Sequence, residues 1–137
     1  MQHDPELVAE TRAWLAKARA DLDVSAFDLT AEPPFATAVV FHAQQAAEKA
    51  LKGFLTWHSS PFRKTHNLEE LGEQCLRFDS MLKPIIDAAV PLTKYGWKYR
   101  YPGEPEEPSR EEAEAALALA REVYAAILAR LPEQVRP

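Results

Sequence analysis

Glycine is scarce in this chain, with four residues in 137, and those four are scattered. No glycine-rich loop can therefore cradle a phosphate on backbone N–H groups, which excludes the P-loop and dinucleotide-binding signatures. Cysteine is scarcer still. Cys75 stands alone, so no disulfide can close within the chain, and a reducing cytoplasm is the expected setting. Its context, "LGEQCLRF", places it on an apolar stripe as a small core residue. No apolar run approaches the roughly 20 residues that span a bilayer. The start, "MQHDPELVAE", has neither the basic beginning nor the apolar centre of a signal peptide. No stretch of useful length alternates with strand period. No Cys/His spacing suits zinc, and no serine or cysteine carries a nucleophile motif. No cofactor is implied. The formal net charge is −5, so no global field attracts nucleic acid or acidic membranes, although a local basic patch is compatible with it.

What the chain does have is helix. Hydrophobic residues make up 47% and charged residues 27%, an ordinary globular balance. The length suits one domain, residues 1–137, with its core over about 5–131. Asp4, Pro5 and Glu6 open a first helix through "DPELVAETRAWLAKARADLDVSAFDL", with Leu7, Thr11, Trp14, Leu15, Ala18, Leu22 and Ser25 at helical spacing. "TAEPPF" ends it. A second helix runs from about Phe35 to His58. Asn67 with Glu70 predicts a capping box and a short third helix. "DSMLKPIIDAAVPLTKYGWKY" reads as a fourth, kinked at Pro91. "RYPGEPEEP" is a loop. Ser109 with Glu112 predicts a second capping box and a last helix whose stripe runs from Ala113 to Leu131, after which "PEQVRP" frays. The expected architecture is all-α: an up-and-down bundle of four long helices plus one short helix.

The second helix raises the functional question. Val39, Ala43, Ala46, Ala47, Ala50, Phe54 and Trp57 share one arc of the wheel, with Val40 and Leu51 on its flank. The opposite arc carries His42, Lys49 and Thr56 in a row, with Gln45 and Lys52 beside it and Glu48 at its edge. Phe41 falls among these polar groups. Either this arc is solvated, with Phe41 under a loop, or it is a subunit interface or phosphate-binding strip.

Two further clusters compete. Arg63, Lys64, Thr65 and His66 precede a helix N-terminus, where free N–H groups and two cations suit an anion; a plain capping loop is the alternative. "YGWKYRYPGE" interleaves Lys98 and Arg100 with aromatics, which suits bases and phosphates; closing the core at a helix end is the alternative. The acidic run from Glu104 to Glu114 is explained by capping and prolines better than by a metal.

"FHAQQAAEKALKGFL", "THNLEEL" and "YRYP", in that order on a helical bundle, resemble the HEPN family over about residues 5–131. The resemblance implies a bundle of four or five helices, usually dimeric. Many members are metal-independent ribonucleases, often toxins, whose active site pairs an Arg with a His five to seven positions later. Others bind nucleotides or RNA, or accompany a minimal nucleotidyltransferase. Here Arg100 occupies the arginine's place, but "YPGEPEEPSR" follows and no histidine occurs after His66. The resemblance therefore implies a non-catalytic protein binding nucleotide or RNA phosphate, or an accessory subunit of a nucleotidyltransferase in a toxin–antitoxin-like pair. Arg100, Lys49 and Arg63 lead the candidate site, with Lys52, His42, Gln45, His66 and Lys98. The alternatives are a ribonuclease using Arg100 with His42 or His66, and an interaction module without a ligand.

Overall fold

A computed structural model describes residues 3–99, 101–103 and 106–137. Among the described residues every regular element is helical: α1 Pro5–Leu29, α2 Ala36–Trp57, α3 Leu68–Leu76, α4 Lys83–Ala89 and α5 Arg110–Leu128. Short 3-10 segments cover Ser80–Leu82, Val90–Gly96 and Glu133–Val135.

The helix starts follow local chemistry. Asp4 accepts from the Glu6 N–H at 2.9 Å, Asn67 from Glu69 and Glu70 at 2.9 and 3.2 Å, and Ser109 from Glu112 at 3.0 Å. Each satisfies an N–H that the first turn leaves without a partner. Both expected capping boxes are only half made, because each glutamate's carboxylate finds another donor. Glu70 takes Arg63, and Glu112 takes the Tyr95 hydroxyl.

The fourth rod is helical from Ser80 to Gly96, but it changes type along its length. Pro84 sits in the first turn of α4 and Pro91 in the first turn of the following 3-10 segment. A proline inside an α-ladder removes a donor and crowds the carbonyl four residues back. The chain tightens to 3-10 there instead of kinking as one α-helix.

Helix α2 is the axis of the bundle. It packs on α1, α5, α3 and the second 3-10 segment, so it is buried almost all round. Leu15, Val39, Ala43, Ala47, Phe54, Leu71, Leu82, Leu117 and Ile127 lie in one core cluster. The small residues of α2 allow α1 to approach closely: a Cβ on Gly53 would stand 3.0 Å from Leu15 Cδ2. The C-terminal tail does not fray. Val135 is fully buried, and its 3-10 turn docks on α1, since burying that side chain offsets the entropy of ordering a short tail.

Candidate functional site

The polar arc of α2 is not a wet face. Asp21 of α1 lies against it, 9% exposed, and receives two side chains from α2. His42 Nδ1 approaches Oδ1 at 2.9 Å, and Lys49 Nζ approaches Oδ2 at 2.6 Å. His42 and Lys49 stand two turns apart on one row, so both reach the same carboxylate from one side. With Nδ1–H donated to Asp21, Nε2 of the neutral ring becomes the acceptor.

A second network centres on Glu48, only 3% exposed. Its Oε1 accepts from His66 Nδ1 at 2.7 Å and from Gln44 Nε2 at 3.2 Å, while Oε2 accepts from Lys52 Nζ at 2.9 Å. Gln44 also donates to the His66 carbonyl at 3.2 Å and accepts from Gln45 Nε2 at 2.7 Å. Every polar atom of the buried Gln44 side chain is thereby satisfied, the condition under which a buried network is stable. Lys52 Nζ also lies over the rings of Trp14 and Phe62, at 5.5 and 5.8 Å from their centroids. The loop before α3 is thus tied to α2 through His66.

The remaining candidates lie elsewhere. Arg63 is exposed and pairs with Glu70 at 2.8 Å. The α3 N-terminus offers little to an anion: Asn67 takes two N–H groups and Thr93 Oγ1 takes that of Leu68 at 3.2 Å. Lys98 Nζ sits 5.1 Å from the Tyr99 ring centroid. Arg100 lies outside the described residues, as does Glu104.

An open cleft of about 750 Å³ runs beside His42. The α1–α2 turn and the start of α2 form one wall, with Pro33, Pro34, Phe35 and Ala38. Phe41, the aromatic out of place on the polar arc, lines it with His42, Tyr95 and Tyr99. Asp28, Glu32 and Glu107 supply carboxylates to its lining. Tyr95 and Tyr99 stack at 6.3 Å with 18° between their planes. The Tyr95 hydroxyl donates to Glu112. Burial first, and then that carboxylate, push its pKa well above the usual tyrosine value, so it remains a protonated donor. Among the described residues no cluster of three or more His, Cys, Asp or Glu suits a metal ion.

Asp21 and Gln44 escaped sequence reasoning, although both left a signal. Asp21 interrupts the apolar stripe Ala18–Leu22–Ser25 of α1. On the wheel Gln44 falls between Leu51 and Leu55, at the centre of a buried arc. The acceptor–donor match of Glu48 with His66 left none, since it joins residues 18 apart across a loop.

The HEPN domain family model matches residues 11–131. The crystal structure of TT1696 from Thermus thermophilus is similar at TM-score 0.77 and 31% identity, over 88% of this chain and 98% of that one. Comparison with curated proteins gives no match.

Proposed function

The chain belongs to the HEPN domain family, and from that premise we propose that it is a binding member and not an RNA-cleaving one. It holds a nucleotide or an RNA segment as a homodimer, or does so as the accessory subunit of a nucleotidyltransferase. The observation that carries this reading is how the polar side chains of α2, and His66 beside it, are used. His42 and Lys49 are held by Asp21, and Lys52 and His66 by Glu48. Cleaving a phosphodiester needs a general acid and base beside a cation left over for the developing charge. Here the two lysines already neutralise internal carboxylates, and no histidine follows Arg100 in the sequence. Lys98, over the Tyr99 ring, and Arg100, two positions on in the sequence, are the cations best kept for a phosphate.

One observation favours ribonuclease activity instead. A carboxylate on His42 Nδ1 is the arrangement that turns Nε2 into a base. Incubating stringently purified protein with labelled RNA separates the two. The expected result is no cleavage at rates typical of the toxin members, with retarded migration of the RNA. Cleavage that disappears in His42→Ala would replace this reading with the catalytic one.

A further inference from the structure

We propose that the cleft beside His42 takes the base end of a nucleoside by its amino edge and leaves the phosphate outside. This deepens the nucleotide-binding reading and rests on it.

The size and character of the cleft come first. About 750 Å³ lies within the range of small-ligand sites, roughly 300–1,000 Å³. Tyr99, backed by the buried Tyr95 ring at 18°, and Phe41 on the same lining provide flat apolar surface on which a heteroaromatic ring can stack.

The polar groups then set which part of a nucleotide fits. Asp28, Glu32 and Glu107 bring carboxylates to the lining, and among the described residues no lysine or arginine lines it. Glu32 is partly offset by Arg110 at 3.2 Å, a pair on an exposed edge. Ionised carboxylates only accept hydrogen bonds, and they repel a phosphate. With Nδ1 on the Asp21 carboxylate, the neutral form of His42 offers Nε2 as a further acceptor. Such a lining matches a ligand edge rich in N–H donors. Adenine's exocyclic amine carries two N–H donors, whereas uracil offers one N–H between two carbonyl oxygens that face the same acceptors unfavourably. The site therefore separates amino-bearing bases from uracil, and the sugar-phosphate end points to solvent.

Isothermal titration at one fixed salt concentration tests this with adenosine, AMP, uridine and a short oligoadenylate. Wild type should bind adenosine and AMP, and should bind uridine roughly tenfold more weakly than adenosine, the loss expected when a charged acceptor is left without its donor. Ala38→Trp fills the cleft from its α2 wall and should abolish adenosine binding with far-UV circular dichroism unchanged. Glu107→Gln, on the cleft's exposed edge, should weaken adenosine and not uridine, and it serves if the tryptophan variant fails to fold. Uridine binding as tight as adenosine, or adenosine binding untouched by both variants, would overturn the cleft assignment and leave nucleotide binding elsewhere on the protein. No binding of any of the four probes by wild type would overturn both readings.

Discussion

Lys52 illustrates how far a residue's surroundings can depart from its place on a wheel. It lies on the polar arc, yet it is 7% exposed, with its ammonium shared between Glu48 and two aromatic rings. Lys52→Met keeps most of the stem but strands a buried carboxylate, so it should cost about 3–5 kcal/mol in urea denaturation. Adding Glu48→Gln should recover part of that loss, because the stranded charge is gone. Additive losses would show that the two groups do not depend on each other. His58 behaves differently. It is stacked on Phe78 at 4.5 Å and lies 4.5 Å from Phe54, and burial lowers its pKa from 6.5. A depressed folded-state pKa means its contribution is fully present above about 6.5 and is lost as pH falls through the folded value, since the unfolded chain takes up the proton first. The difference in unfolding midpoint between wild type and His58→Leu should therefore shift against wild type on going from neutral to mildly acid pH. A pH-independent difference would exclude this coupling.

At the scale of elements, the packing of α3 on α4 turns on Gly72. Glycine inside a helix normally costs about 1 kcal/mol relative to alanine, so Gly72→Ala in α3 would be stabilising on propensity alone. A Cβ there would stand 2.4 Å from Cγ2 of Ile86, a branched side chain with little freedom inside a helix. Overpacking of this kind costs about 1–3 kcal/mol, so Gly72→Ala should lower the melting temperature. Gly72→Ala combined with Ile86→Val keeps Cγ2 and should stay destabilised, whereas Ile86→Ala should relieve the clash at the cost of a cavity. A raised melting temperature in the single variant would show that α3 and α4 are farther apart than described.

At the scale of the molecule, several large aromatic side chains face outward. Phe27 is 75% exposed, Phe35 63%, Trp97 58% and Tyr101 70%. Together with membership of a family often found as dimers, this predicts a homodimer. Light scattering at micromolar concentration should return about twice the mass of one 15.4 kDa chain; a single-chain mass would refute it. Among the described residues no helix is long and apolar enough to cross a membrane.

The sequence by itself determined where the main helices begin and end, though not the 3-10 character of the fourth segment or the docked tail. Helical periodicity, the caps at Asp4, Asn67 and Ser109 and the proline breaks are local codes, each written within a few residues, and the all-helical bundle followed from them. The motif order that marks the HEPN family was legible in the same way. The tertiary structure alone decided what the polar residues of α2 do. His42 and Lys49 meet Asp21 across 21 and 28 residues, and a wheel drawn for one helix cannot show that neighbours wrap its other side. The same holds for the cleft, which gathers residues from the α1–α2 turn, from α2 and from the chain around Tyr95 to Glu107. A wheel gives the direction in which a side chain leaves its own helix, and burial and pairing depend on which other segment stands there to receive it.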